Sequence, residues 1–292
     1  DWSSDVCSSD LAGTTLGAVR AAGDRGHAVS LAAEGTAKLA GQLHKNNKIS
    51  GILGLGGSAG TTIATTAMRT LPVGVPKLMV STLASGQVRP FVGTRDVMML
   101  YSVVDIAGLN RISRLVLDNA AAAMAGMVRK QDSGFRIQDS GGKPVIAATM
   151  FGVTTPCVEA ARAILEQAGC EVLVFHAVGS GGMTMEDLIR DGHIAGVLDI
   201  TTTELADELA GGILSAGPNR LTAAAIAGIP QVVSVGALDM VNFGPPDTVP
   251  EKYKERRFYQ HNPNVTLMRT TPEEMDRLGL EIAQKLSASH GP

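Results

Sequence analysis

The stretch Gly51-Ile-Leu-Gly-Leu-Gly-Gly-Ser-Ala-Gly-Thr-Thr62 decides how the chain is read. A short apolar run passes through four glycines (Gly54, Gly56, Gly57, Gly60) and continues into helix-forming sequence as far as Leu71. That order spells buried strand, tight turn and helix N-terminus. A helix start carries unpaired N–H groups and a partial positive charge, so such a turn suits an anion, most often phosphate. Glycine lets a ligand approach the backbone closely, and Ser58 and Thr61 add hydroxyls at the same rim. A tight strand–helix turn with no ligand is the alternative.

The spacing narrows the choice of phosphate compound. Gly54-x-Gly56-x-x-Ala59 fits the relaxed dinucleotide fingerprint. The next strand, at residues 77–82, nevertheless ends in Ser81 and Thr82, where a nicotinamide dinucleotide wants a carboxylate for its ribose. No lysine lies between residues 51 and 66, so a P-loop is absent. A lysine-free glycine nest for phosphate remains.

Six longer motifs widen the view: Gly51–Gly60, 72–82 (PVGVPKLMVST), 101–112 (YSVVDIAGLNRI), 150–157 (MFGVTTPC), 198–208 (LDITTTELADE) and 261–271 (HNPNVTLMRTT). Together they closely resemble the Tm-1-like ATP-binding family, UPF0261, and the resemblance runs through nearly everything after about Leu16. It implies two α/β domains, ATP with a divalent ion (Mg²⁺), and a homodimer, without fixing a reaction. It also implies a strand and helix ahead of the glycine turn, and a continuation past residue 292, that this sequence does not include.

Composition agrees with that class. The chain has 292 residues, enough for two domains. Glycine is abundant at 34 and aromatics scarce at 3%, which suits parallel sheets with many tight turns. A net charge of −3 with no basic block argues against nucleic acid as a partner. No apolar run approaches the ~20 residues that span a bilayer, so no membrane partner is expected. Three cysteines without C-x-x-C spacing point to a reducing cytoplasm and away from zinc.

Residues 1–11 (DWSSDVCSSDL) lack periodicity and read as a non-native scar. The first domain is then residues 12–135, and the polar, glycine-containing run 131–142 (QDSGFRIQDSGG) marks the boundary to a second domain at 143–292. Two Rossmann-like, doubly wound domains with mainly parallel sheets and a ligand cleft between them are expected.

Sheets of this kind gather ligand groups at the carboxyl ends of their strands. In the first domain these are Ser81 and Thr82, then the loop 84–96 with Ser85, Gly86, Arg89 and Thr94 as phosphate contacts and Asp96 as a magnesium ligand. Asp105, after the strand at 98–104, reads as a cap for the next helix or as a ligand contact. In the second domain the strand ends offer Gly152, Thr154 and Thr155; Gly179, Ser180, Gly181 and Gly182; and Thr201 and Thr202, with Asp199 and Glu204 as further metal carboxylates. The same residue types also build ordinary turns and helix starts. Residues 239–254, proline-rich and irregular, read as a lid, dimer contact or binding loop.

Three functions fit: a nucleotide-binding protein with ATP on Gly54–Thr61; an enzyme using the cleft for Mg²⁺-dependent phosphoryl transfer or hydrolysis; and a nucleotide-regulated scaffold with a protein partner. No catalytic residue stands out.

Overall fold

A computed structural model describes residues 12–132 and 142–289. The chain divides into two compact units, Asp1–Asp139 and Ser140–Pro292. Residues 1–11, read from the sequence as a scar, and most of the boundary run at 131–142 lie outside the described residues.

Unit 1 opens with α1 (Leu16–Ala22) and α2 (Arg25–Lys45). Asp24 caps α2 by accepting from the His27 N–H at 3.1 Å. A three-stranded parallel sheet follows, in spatial order β1 (Ile52–Gly56), β2 (Lys77–Ser81), β3 (Met98–Tyr101). Between the strands come α3 (Ser58–Arg69) and a single turn, α4 (Arg89–Val92), and after them α5 (Arg111–Asp132). Every residue of β2 is buried. Its alternate side chains point to opposite faces, so Leu78 and Val80 meet Ala120, Val116 and Leu117 of α5. On the other face α3 joins α2 through Ala40, Ala67 and Leu71. The turn into α3 needs glycine because the chain folds back on itself: a Cβ on Gly56 would sit 2.7 Å from the Cα of Gly60.

Unit 2 carries a four-stranded parallel sheet in the order β5 (Glu171–His176), β4 (Val145–Met150), β6 (Gly196–Thr201), β7 (Gln231–Gly236). Placing β4 between β5 and β6 makes the chain reverse its direction across the sheet after β5, as in doubly wound folds. The helices are α6 (Thr155–Gln167), α7 (Ser180–Arg190), α8 (Thr203–Ala210) and α9 (Ala223–Ala227). Met185 and Ile189 of α7 and Ala223 and Ala224 of α9 cover Ala147 and Val197 of the sheet. A second core lies under α8, where Leu205 and Ala206 meet Val241, Phe243, Met268, Leu278 and Ile282.

Both units are therefore α/β with parallel sheets, as expected. The sequence reading missed one element. Unit 2 adds a three-stranded antiparallel sheet, β8 (Met240–Phe243), β10 (Val265–Arg269) and β9 (Phe258–Asn262), with β10 in the middle. Part of the proline-rich segment is thus a strand. Its prolines fall after β8, in two short 3₁₀ turns at Pro246–Thr248 and Glu251–Tyr253. The last helix, α10 (Pro272–Ser287), starts with the expected cap: Thr271 Oγ1 accepts from Glu274 N, and Glu274 Oε2 accepts from Thr271 N.

One buried charge shapes unit 1. Lys77 is 1% exposed, and its ammonium donates to the Pro72 and Val75 carbonyls and to Asp96 Oδ1 at 2.6 Å. Asp96 Oδ2 accepts from the Gly74 N–H at 2.8 Å. Asp96→Ala should lower unfolding free energy in urea by about 2 kcal/mol. That is less than the roughly 3–5 kcal/mol of a fully dry pair, because the Asp96 side chain is 40% exposed. An unchanged urea midpoint would show the pair to be ornamental.

Candidate functional site

The glycine turn forms as expected, as the corner between β1 and α3. Gly57 is the N-cap, extended at φ −81° and ψ −155°, and no side chain caps the helix. Thr61 N already donates to Gly57 O. The N–H groups of Ser58, Ala59 and Gly60 remain as the fan that a helix start presents to an anion. A Cβ on Gly57 would meet only Thr82 Oγ1, at 3.6 Å, so there is space above the turn. Ser58 is exposed at the rim.

Thr61 and Ser81 lie beneath this turn. Both side chains are buried, their hydroxyls are 2.7 Å apart, and Ser81 Oγ also accepts from Leu83 N. They tie β2 to the first turn of α3 and are spoken for. Thr82 bonds through its backbone to Gly56 O and keeps its side chain beside Gly57.

The loop after β2 departs from the expected arrangement. Ser85 and Gly86 are exposed near the strand end. The chain then runs back along α3, and Arg69, the last residue of that helix, donates to Pro90 O at 3.4 Å. Twelve residues of α3 span ~18 Å. Arg89 and Thr94 are therefore near the far end of α3, not over the glycine turn. Asp96 is farther still from a phosphate, held by Lys77 and Gly74 at the start of β2.

Past β3 the strand ends earlier than the apolar run suggests. Val103 sits at φ 65°, and Val104 N donates to Ser102 O at 2.7 Å. This is a three-residue γ-turn of the rare, strained positive-φ kind. Asn110, not Asp105, caps α5, accepting from Ile112 N and Ser113 N at 2.9 Å. Asp105 accepts only from its neighbour, Ile106 N, at 2.8 Å among the described residues. Its side chain lines a polar recess of about 260 Å³ with Thr82, Tyr101, Ser102, Val103 and Val104. Beside it lies an apolar cavity of about 240 Å³, walled by Leu55, Val80, Val104, Ile106, Leu109, Val116 and Leu117.

Unit 2 uses its strand ends differently. Arg220, 1% exposed, donates from Nη1 and Nη2 to both oxygens of Asp199 (2.5 and 2.7 Å) and from Nε to Glu204 Oε2 (2.7 Å). Glu186 Oε1 is 3.6 Å away. The other oxygen of Glu204 accepts the N–H groups of Gly179 (2.7 Å) and Gly182 (3.0 Å). The start of α7 thus already holds an anion, the chain's own carboxylate. A Cβ on Gly182 would lie 2.1 Å from Glu204 Oε2. Gly182 makes room for Glu204, whereas Gly179 packs against the Leu214 and Ser215 carbonyls and Gly181 against the His176 carbonyl, with Ser180 among them.

The threonines are engaged as well. Thr154 Oγ1 and Thr201 Oγ1 are 2.7 Å apart, Thr155 Oγ1 donates to Phe151 O, and Thr202 Oγ1 donates to Ser234 O. Gly152 lies exposed in the 3₁₀ turn before α6. Asp199 and Glu204, expected as metal ligands, face a guanidinium that remains charged at any working pH. Among the described residues no three His, Cys, Asp or Glu side chains gather as a metal site. Arg220, Glu186 and Asp207 were not singled out from sequence. The available signal was an Arg or acid inside an otherwise apolar face.

Burial pushes the Glu204 carboxyl above its ordinary range, and Arg220 and the two glycine N–H groups only partly pull it back. Burial alone would weaken the Arg220 guanidinium, but Asp199 and then Glu204 more than offset it, and its pKa is raised. Asp207 is fully buried on α8 and accepts from Asn242 Nδ2 (2.8 Å), Asn242 N and Leu214 N. Burial pushes it from 3.8 up to about 6 against those hydrogen bonds, with the charge on Glu204 adding to the rise.

The folded chain holds the Asp207 proton more tightly than the unfolded chain does. Its stabilising effect is therefore full below about pH 4 and disappears as pH rises through about 6. Asp207→Asn cannot ionise. The stability difference between the natural chain and this variant should shift by about 2 kcal/mol against the natural chain between pH 4 and pH 6.5. Urea titrations at half-unit pH steps measure it, and a constant difference contradicts the raised pKa.

No helix of the described residues is long and apolar enough to cross a membrane. Comparison with known proteins places the chain in a family. Residues 3–133 match the N-terminal domain of the uncharacterised protein family UPF0261, and residues 143–292 match its C-terminal domain. A UPF0261 protein of Clostridium tetani is 58% identical over 264 residues, covering 90% of this chain and 64% of that protein. One from Mesorhizobium japonicum is 49% identical over 292 residues, covering 99% and 71%. The tomato protein named ToMV resistance protein Tm-1(GCR237) is 47% identical over 264 residues, 90% of this chain and 35% of its own length. The chain thus spans about two thirds of these bacterial relatives and about a third of the tomato protein. With both family domains matched and such identity across almost its whole length, this chain belongs to the UPF0261 family.

Proposed function

We infer that unit 1 binds the phosphate end of a nucleotide on the first turn of α3, and that the nucleotide is ATP. One observation carries the reading: α3 begins at Gly57 with no side-chain cap, with Ser58 exposed and open space above the turn. Among the described residues α4, α6, α7, α8 and α9 also lack a side-chain cap from the N-cap residue, but α4 is a single turn, and Glu204 and Glu186 already reach the starts of α7 and α9. Pro156 removes a donor from the first turn of α6, and the first turn of α8 is fully buried. ATP is favoured over NAD because β2 ends in Ser81 and Thr82 without a carboxylate, and because the motifs resemble a family of ATP binders.

The carboxylates first considered for magnesium do not fit it. Asp96 is paired with Lys77, and Asp199 and Glu204 with Arg220. A Mg²⁺ ion arriving with ATP would rest on the phosphates and water, as this reluctantly dehydrated cation often does. Such a site supports binding more than phosphoryl transfer, which needs a positioned base and metal. A homodimer in the cytoplasm, with any protein partner served by the nucleotide-bound form, completes the proposal.

Thermal unfolding with ATP, ADP and NAD, each with and without Mg²⁺, tests it. ATP at 100 times its Kd should add about 2.7 kcal/mol. Ser58→Asp separates ligand from fold. A carboxylate in the first turn of α3 complements the helix dipole and should raise stability without ligand by about 0.5 kcal/mol, yet repel phosphate and abolish the ATP shift. If Ser58→Asp keeps the full ATP shift, the phosphate does not lie on α3.

A further inference from the structure

The walls of the two recesses beside the α3 turn carry information about the rest of the ligand, on the premise that phosphate binds that turn. The recesses share Ser102 and Val104, and Thr82 of the polar recess stands next to Gly57. The α3 turn, the polar recess and the apolar cavity therefore lie side by side, all within unit 1. At about 240 Å³ the cavity falls below the roughly 300–1,000 Å³ of whole-ligand pockets, so it takes one part of a ligand.

Its two hydroxyls are already committed. Ser102 Oγ donates to Val104 O at 2.7 Å. Ser113 Oγ accepts from Asn110 N at 2.8 Å and donates back to Asn110 O or Gly108 O. The N–H groups along the wall at Val104 and Ile106 are also used, by Ser102 O and Asp105 Oδ1. The remaining wall is Leu, Val and Ile, with Gly108, which brings no side chain. Such a surface holds a flat ring by area and cannot read its hydrogen-bonding edge, because discrimination needs donors or acceptors that a wrong ligand leaves unpaired. The polar recess is different: Asp105 Oδ2 takes no hydrogen bond from the described residues, and a carboxylate there accepts from hydroxyls.

We propose that unit 1 is a base-indifferent ribonucleotide site: the apolar cavity takes either purine, and Asp105 accepts from the ribose hydroxyls. The phosphates then reach the α3 turn. The cavity supplies affinity and the recess supplies the preference for ribose, so specificity resides in the sugar and not in the base.

Isothermal titration of the whole chain in Mg²⁺ tests this with ATP, GTP, 2′-deoxy-ATP and inorganic triphosphate. ATP and GTP should bind within about threefold of each other. Triphosphate should be at least tenfold weaker, and 2′-deoxy-ATP several-fold weaker. Ile106→Trp, which fills the cavity, should bring ATP and GTP down to the triphosphate level and leave triphosphate unchanged. The comparison among ligands on the natural chain stands even if that variant folds poorly. More than tenfold discrimination between ATP and GTP overturns the base indifference, and triphosphate equal to ATP overturns the cavity's role. Octyl phosphate binding more tightly than ATP would assign the cavity to a hydrocarbon instead. Triphosphate and nucleotides all failing to bind would remove the α3 reading itself, whereas triphosphate binding with no gain from a nucleoside would remove only this inference.

Discussion

Every helix that starts at the end of a strand presents N–H groups with no partner in its own first turn, and something must answer them. Most of the helix starts among the described residues are answered from within. Asp24 caps α2, Asn110 caps α5, and Thr271 with Glu274 caps α10. Glu204 reaches from α8 to the start of α7, and Glu186 reaches from α7 to the Leu221 and Ala223 N–H groups at the start of α9. Helix α3 is capped by Gly57, which has no side chain to offer, and unlike the Gly179 start of α7 it receives no carboxylate from another helix among the described residues. The first turn of α3 also lies at the carboxyl edge of a parallel sheet, where the fold leaves open ground.

The answers in unit 2 make a single ionic cluster. One guanidinium faces Asp199 at the end of β6, Glu204 on α8 and Glu186 on α7, and the loop carrying Arg220 is pinned from α10, where Lys285 donates to the Pro218 and Arg220 carbonyls. Five segments meet there. Such clusters add little net stability over a well-filled apolar core, because desolvation consumes most of the Coulomb gain. Removing one member is a different matter, since it leaves a buried charge alone, at roughly 3–5 kcal/mol. Burial is also why Glu204 holds its proton more strongly than an exposed glutamate, since Arg220 and the two glycine N–H groups offset it only in part.

The fold was legible where the pattern was local. The apolar run at β1, the four glycines and the helix after them could be read as strand, turn and helix without any distant contact. The alternation of strands and helices likewise showed an α/β protein. Long-range partners were not legible. Nothing near Gly179 or Gly182 announces a glutamate over twenty residues away that will fill the space between their N–H groups. Nothing near Arg89 says that its loop runs back along α3, away from the turn it was expected to serve. The strand β8 was hidden because the prolines that mark its segment as irregular begin just after it ends. In each case the residue types were correctly seen as polar groups at strand ends, and tertiary pairing decided which remained open.

That distinction separates the two units. Both place glycines, hydroxyls and acids at the carboxyl edge of a parallel sheet, so sequence grammar alone treats them alike. In unit 2 these groups satisfy one another: threonine to threonine, glutamate to helix start, aspartate to arginine, with burial so complete that a ligand would have to displace a charge from its partner. In unit 1 the pairing stops at Thr61 and Ser81, one layer below the surface, and leaves Ser58, Thr82 and Asp105 around open recesses. A strand edge that has spent its polar groups on itself is scaffold. One that has kept some of them facing open space, beside an uncapped helix and an apolar cavity, has the chemistry of a binding site, which is why the functional reading rests on unit 1.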